Sequence, residues 1–158
     1  MLIATEKRVY AHSTDGPAPK ALYENGGVLR IAECGTAAVI ALAGGDIAVV
    51  DGAGVRTVAT GIDEEVAALL ALSTDPLNVL IGTDDSAFVY RLTGDGPAER
   101  VEAFDALKCR SDWYTPWGGP PAVRAFAAST DGWVYADIHV GSIMRSPDEG
   151  ETWEPVTP

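Results

Sequence analysis

A short pattern that recurs four times along the chain limits the folds open to it. Residues 8–18 align without a gap to residues 88–98, and both segments contain Val-Tyr and end in Asp-Gly-Pro-Ala. Shorter copies occur at residues 47–52 and 143–150. The offset of 80 residues between the two best copies corresponds to two periods of about 40 residues. A repeat of this size is one supersecondary unit that buries its apolar face against its neighbours.

Within each unit, short β-branched or aromatic runs alternate with turn residues, which is typical of all-β proteins. The last unit shows this most clearly, with predicted strands at residues 123–129, 133–138, 142–145 and 152–156. Four antiparallel strands in about forty residues is the size of a β-propeller blade. We therefore predict an all-β chain of four-stranded antiparallel blades. The predicted blades are residues 1–26, 27–63, 64–104 and 122–158, with an inserted loop at 105–121.

One segment has the wrong propensity for this arrangement. Residues 64–71 read Glu-Glu-Val-Ala-Ala-Leu-Leu-Ala, a composition that favours helix. The segment nevertheless occupies the first-strand position of its blade, and a continuous run of small apolar residues suits a strand covered on both faces. We predict a strand.

The repeats form one domain, residues 1–158, that makes only part of a propeller ring. The first blade lacks its first strand, so self-closure would leave an exposed sheet edge. We expect the ring to be completed either by further blades of a longer protein or by a second copy of the chain. Symmetric dimers are the commonest oligomers.

The composition of the chain limits the binding partners and the cellular location that we expect for it. The chain has 11 Lys and Arg against 23 Asp and Glu, a net charge of −12, and its cations are scattered singly. Such a surface repels polyanions, so we expect neither nucleic acid nor an anionic membrane as a partner. The absence of a long apolar run and of a signal-peptide pattern predicts a cytoplasmic protein. Cys34 and Cys109 lie far apart and outside any C-x-x-C motif, so we expect reduced thiols.

Residues 146–153 carry the most specific motif, Ser-Pro-Asp-Glu-Gly-Glu-Thr-Trp. It resembles the S-x-D-x-G-x-T-W Asp-box of the BNR repeat, which occurs in sialidase-like propellers. The copies at residues 13–16 and 93–96 keep the hydroxyl and the aspartate but lose the Thr-Trp pair. The matching positions are Ser146, Asp148, Gly150, Thr152 and Trp153.

The resemblance implies a propeller fold and a structural role for this motif. A turn carboxylate can accept backbone amide hydrogens, a glycine can adopt positive φ, and Trp153 can pack over the hairpin. Residues 113–121 and 139–143 also resemble a group of bacterial BNR proteins whose biochemical role is not well defined, which implies a bacterial source.

We expect the loops at the opposite end of the blades to carry any function. The insertion there contains Trp113, Tyr114 and Trp117, and His139 lies in the loop between the second and third strands of the last blade. Aromatic side chains in such loops can stack on a sugar ring while polar neighbours orient it. The alternative is structural: the tryptophans would plug the channel mouth or cover a blade edge, and His139 would only form a hydrogen bond.

Two arginines mark the start of first strands, Arg30 in Val-Leu-Arg and Arg124 in Ala-Val-Arg. Guanidinium groups converging from separate blades can bind a carboxylate bidentately. The resemblance implies the same chemistry, because sialidase-type sites hold an acidic sugar with three arginines. The third blade has no arginine in the equivalent region, residues 66–68. The alternative for both arginines is ion pairing with neighbouring acids.

No catalytic or cofactor motif accompanies these residues. Residues 63–65 and 84–85 are acidic and could offer oxygen ligands to Ca²⁺, but they lack the spacing of a known calcium loop. We therefore predict no metal and no cofactor. The catalytic residues of a hydrolase cannot be assigned, because no spacing ties a tyrosine and two carboxylates into a glycosidase set.

Two functions follow from this pattern. The favoured one is a non-catalytic BNR/Asp-box propeller module that binds a small ligand, such as a glycan, or a protein partner on its aromatic loop face. The alternative is a sialidase-like glycoside hydrolase whose active site is completed by missing blades or by a second subunit.

Overall fold

Within the residues that the structure describes, fifteen strands form four antiparallel sheets, which confirms the predicted all-β class. The computed structural model describes residues 1–13, 16–139 and 142–156. The first sheet has three strands, β1 (Leu2–Ala4), β2 (Val9–Ala11) and β3 (Lys20–Tyr23). The second has β4 (Val28–Cys34), β5 (Ala37–Leu42), β6 (Asp46–Asp51) and β7 (Gly54–Ala59). The third has β8 (Val66–Thr74), β9 (Leu77–Thr83), β10 (Val89–Thr93) and β11 (Glu99–Arg100). The fourth has β12 (Val123–Ala128), β13 (Val134–Ile138), β14 (Ser142–Ser146) and β15 (Glu154–Pro155).

The sheets pack face to face in chain order, with one apolar layer between each pair. Strand β5 shows the reason, because its sequence Ala-Ala-Val-Ile-Ala is buried throughout. Ala38 and Ile40 pack toward the first sheet, whereas Val39 and Ala41 pack toward the third. A strand that is covered on both faces needs apolar residues at every position rather than at alternate ones.

The first strands of consecutive sheets adjoin one another. Strand β4 contacts β8, and β8 contacts β12, so the starts of these strands lie close together in space. The predicted strand within residues 64–71 is confirmed, because Val66–Thr74 is β8. Burial on both faces outweighs the helix propensity of its alanines and leucines.

The two outer sheets are covered on one face only. In β12, Val123 is buried, but Ala125, Ala127 and Ala128 are exposed. In β1, Ile3 is exposed at the other end of the stack. The described part of the chain shows no closed ring of sheets.

The predicted loop at residues 105–121 is only partly a loop, and this prediction is corrected. A short helix, α1 (Glu102–Asp105), precedes it, and a 3₁₀ helix covers Lys108–Asp112. Phe104 and Trp113 are buried beside Trp153 in the layer between the third and fourth sheets. The segment folds because these large aromatic side chains cover the apolar edge of that layer.

The fourth strand of the last sheet is also shorter than predicted. It spans Glu154–Pro155, because residues 147–152 form the turn that precedes it. Across residues 1–13, 16–139 and 142–156, the structure contains no helix with the length and apolar character needed to cross a membrane.

Candidate functional site

A cleft of about 480 Å³ brings four of the six candidate binding residues together. Arg30 and Arg124 line it with Trp117 and His139. The other lining residues are Ala67, Asp84, Asp85, Thr115, Pro120 and Ala122. They come from the second, third and fourth sheets and from the end of the insertion, so the cleft depends on how these sheets pack.

A repeated β-bulge at the start of the first strands positions the arginines. The register shifts between Val28 and Arg30 in β4, between residues 66 and 68 in β8, and between residues 123 and 125 in β12. In each case the bulge leaves one extra residue, namely Leu29, Ala67 and Arg124. A bulge bends the strand and re-aims a side chain, and bulges are frequent next to binding sites.

The bulges correct one sequence-based alignment. Arg30 and Arg124 were expected at the same position, but Arg124 corresponds to Leu29, and Arg30 lies one residue further along its strand. Both arginines still line the cleft. The bulge residue of the third sheet is Ala67, and this sheet lies between the sheets that carry Arg30 and Arg124.

Arg30 is held by backbone carbonyl groups rather than by an acid. Its Nε donates to the carbonyl oxygen of Ala67 at 2.5 Å, and its Nη1 donates to that of Leu29 at 2.8 Å. Because a guanidinium has five N–H groups, three of them remain for a ligand. The contact with Ala67 also joins the second sheet to the third at the edge of the cleft.

Arg124 contacts the ring of His139. The distance from Arg124 Nη1 to His139 Nδ1 is 2.7 Å. Since arginine can only donate, Nδ1 of His139 is the acceptor in this contact. The ring of Trp117 lies 5.3 Å from that of His139, centroid to centroid, at an angle of 52°. The aromatic wall and the cationic wall of the cleft are therefore in direct contact.

Asp84 and Asp85 form an acidic wall that the sequence did not assign to the binding site. They lie in the turn between β9 and β10, where Ser86 and Ala87 have positive φ values of 75° and 48°. Their signal in the sequence was an Asp-Asp pair in the loop between second and third strands, the loop type that also carries His139.

Arg110 of the insertion braces this turn. Its Nη1 donates to the carbonyl oxygen of Ala87 at 3.0 Å, and its Nη2 donates to that of Ser86 at 2.9 Å. The guanidinium lies 4.9 Å from the Trp113 ring centroid. Burial lowers the pKa of Arg110, an effect that the nearby charge of Asp105 opposes. The turn that presents the acidic wall is thus fixed by the same segment that supplies Trp117.

Two candidate residues lie outside the cleft. Trp113 is only 7% exposed and packs against Phe104 in the core, so it does not line this cleft. Tyr114 is 71% exposed but does not line the cleft. The 3₁₀ helix ends at Asp112 and directs Trp113 inward, whereas Trp117, four residues later, reaches the cleft.

The charged groups of the cleft are unpaired with one another. Arg30, Arg124, Asp84 and Asp85 are exposed, and among the described residues none of the four takes part in an ion pair. The predicted alternative, in which both arginines neutralise neighbouring acids, therefore does not describe this site. The cleft offers free donors on one wall and free acceptors on another.

The motif at residues 146–153 lies elsewhere and forms a closed hydrogen-bond network. Asp148 accepts from the Thr152 amide at 2.8 Å and from the Thr152 hydroxyl at 2.6 Å. The Ser146 hydroxyl donates to Asp148 at 2.8 Å and accepts from the Gly150 amide at 2.8 Å. Gly150 has a φ of 93°, and Trp153 Nε1 donates to its carbonyl oxygen at 2.9 Å. The network occupies the acceptor groups of Asp148.

These contacts shift the ionisation of Asp148. Partial burial raises the pKa of its carboxyl, but the hydrogen bonds from Thr152 and Ser146 outweigh that effect and hold the pKa below its ordinary value. The carboxylate is therefore a stable structural acceptor rather than a proton donor.

The other copies of the motif are less complete. Asp95 forms an ion pair with Arg56 at 2.9 Å, and Asp51 accepts from the Ala53 amide at 2.8 Å. In the first copy, Thr14 and Asp15 lie outside the described residues, as do Val140 and Gly141 beside His139.

Metal binding finds no support in the part of the chain that the structure describes. It contains no group of three or more His, Cys, Asp or Glu side chains arranged to hold an ion.

Comparison with known protein families and with curated protein sequences found no match.

Proposed function

We propose that this chain is a non-catalytic binding module of the BNR/Asp-box propeller type, with the cleft as its ligand site. The supporting observation is that Arg30, Arg124, Trp117 and His139, which are distant in sequence, line one cavity of about 480 Å³. That volume falls within the range of small-molecule sites. The ligand that fits is a sugar ring bearing a carboxylate, since Trp117 offers a stacking face and the arginines offer unpaired donors.

The lining chemistry favours binding over hydrolysis. Among the described lining residues there is no tyrosine, and the only carboxylates are Asp84 and Asp85. A glycosidase needs two carboxyl groups on opposite sides of the scissile bond, about 5 Å apart or more. Adjacent residues of a single turn do not provide that arrangement.

The propeller type accounts for the packing order. Four-stranded antiparallel sheets that stack in chain order, with their first strands adjoining, are what neighbouring blades require. A second copy of the chain is the partner we propose for the uncovered faces of the outer sheets.

The proposal is tested by titrating the ¹⁵N-labelled protein with D-glucuronate and following the amide resonances. We expect saturable shifts at residues of the cleft, with a Kd in the millimolar range, about −4 kcal/mol. Arg124→Gln should weaken these shifts, whereas Arg56→Gln, which removes a guanidinium outside the cleft, should leave them unchanged. Absence of saturable shifts at the cleft would contradict the proposal. Release of methylumbelliferone from a glucuronide or sialoside would instead support the hydrolase alternative.

A further inference from the structure

The cleft presents two carboxylates as well as two guanidinium groups. Asp84 and Asp85 come from the third sheet, while Arg30 and Arg124 come from the second and fourth. A carboxylate and a guanidinium that share a cavity would ordinarily pair, because bidentate Arg–carboxylate contacts are among the strongest in proteins. Here Arg30 is instead held by two carbonyl groups, and Arg124 contacts the ring of His139.

From this separation we propose that the cleft selects a ligand with charges of both signs, namely an amino sugar acid whose carboxylate faces the arginines and whose ammonium group faces Asp84 and Asp85. The inference rests on the proposed function and adds the ammonium group to it.

The turn that carries the two aspartates is built to hold them in place. Ser86 and Ala87 adopt positive φ, a conformation that is costly for residues other than glycine. Arg110 donates to both of their carbonyl groups. The Thr83 hydroxyl accepts from the Phe88 amide at 3.0 Å and closes the turn from the other side. Such bracing lowers the entropy lost when a ligand orders the acidic wall.

The net charge of the chain points to the same ligand class. At −12, the protein repels any ligand with a net negative charge at long range. A ligand whose ammonium group cancels its carboxylate has no such penalty. Inside the cleft the two guanidinium groups and the two carboxylates also cancel, so a ligand with both charges leaves no group there without a counterpart.

The test compares three sugars that share a pyranose ring and differ in charge. Muramic acid carries an amine and a carboxylate, D-glucuronate carries only the carboxylate, and D-glucosamine carries only the amine. Binding of each is measured by the shifts of cleft amides at physiological salt and neutral pH. We expect muramic acid to bind about fivefold more tightly than glucuronate, the gain typical of a partly exposed ion pair.

Paired variants separate this inference from general electrostatics. The double variant Asp84→Asn/Asp85→Asn should abolish the preference for muramic acid, because it removes the two carboxylates that face the ammonium group. The control Asp63→Asn/Glu65→Gln removes the same two charges from exposed positions outside this cleft, and it should keep the preference.

The outcomes distinguish the two proposals. Equal binding of muramic acid and glucuronate, or a preference that survives in the Asp84/Asp85 variant, would overturn the selection for two charges and leave the binding function standing. If none of the three sugars bound at the cleft, the proposed function itself would fail.

Discussion

The carboxylate of Asp148 is engaged in hydrogen bonds within its own turn, so it has a structural role and not a catalytic one. Its carboxylate accepts from Thr152 and Ser146, and the turn around it depends on Gly150. A sequence match to a motif found in hydrolases would suggest an active site. The hydrogen bonds show a turn instead, and the residues that can recognise a ligand lie elsewhere.

The ionisation of Asp148 predicts how stability depends on pH. The pKa of Asp148 is lower in the folded chain than in the unfolded chain. Its contribution to the free energy of unfolding is therefore complete above the unfolded pKa of about 3.9 and is lost as the pH falls through the folded pKa. Asp148→Asn should therefore cost about 1 kcal/mol near pH 7, and the difference from the parent should shrink as the pH falls below 4. Urea unfolding at pH 7, 5 and 3.5 measures this difference. A constant difference would show that charge is not involved.

Trp117 and Tyr114 form a matched pair for testing the cleft. Both are 71% exposed, but only Trp117 lines the cavity. Trp117→Ala should weaken sugar binding about fivefold, the value of a stacking contact of about 1 kcal/mol, and Tyr114→Ala should not change it. Isothermal titration calorimetry with the sugars named above gives both numbers. Equal effects would place the stacking face outside the cleft.

The elements of the fold were predictable to different degrees. Alternating apolar runs and turns predicted strands throughout, and the covered position of β8 was identified against its helix propensity. The β-bulges were not predictable, because a one-residue shift in register leaves no trace in composition. The sequence therefore aligned Arg30 with Arg124, although Leu29 is the residue equivalent to Arg124.

The insertion was predicted least well. Trp113 and Trp117 lie four residues apart in a segment rich in aromatic residues and proline, and both were assigned to the ligand site. The structure buries one and exposes the other. Whether each tryptophan is buried or exposed depends on the 3₁₀ helix that ends at Asp112 and on the apolar layer in which Phe104 packs. Neither feature can be predicted from the local sequence.

The difference in burial between Trp113 and Trp117 predicts that truncating them has very different effects on the stability of the chain. Trp113→Ala should destabilise the chain by about 3–5 kcal/mol, because it leaves a cavity beside Phe104. Trp113→Phe should cost less, because the Trp113 Nε1 is buried without a hydrogen-bond partner and its removal sacrifices no contact. Trp117→Ala should change stability by less than about 0.5 kcal/mol. Thermal and urea denaturation measure all three, and similar costs for Trp113→Ala and Trp117→Ala would be inconsistent with the packing.

At the scale of the whole molecule, the uncovered faces of the outer sheets predict self-association. Ile3 and Ile143 are exposed on the first and fourth sheets. Two copies related by a two-fold axis would place the first sheet of one against the fourth sheet of the other, twice. Light scattering should give about twice the chain mass of 16.5 kDa.

A matched pair of variants tests the face involved. Ile143→Asp should shift the dimer toward monomer. Val55→Asp should not, because Val55 is similarly exposed but lies on β7 of the second sheet. A monomeric parent chain, or equal effects of the two variants, would show that the outer faces are not an interface between copies.

The stacking of the sheets in chain order has a consequence for cooperativity. Among the described residues, each of the three apolar layers lies between two sheets that are consecutive in the chain. The stability of the stack is therefore close to a sum of nearest-neighbour couplings, and fraying starts at its ends. The cleft draws on the second, third and fourth sheets but not on the first. A bound sugar should thus slow amide hydrogen exchange in those three sheets and leave the exchange rates of β1 to β3 unchanged. The protection that the ligand induces should therefore begin between β3 and β4.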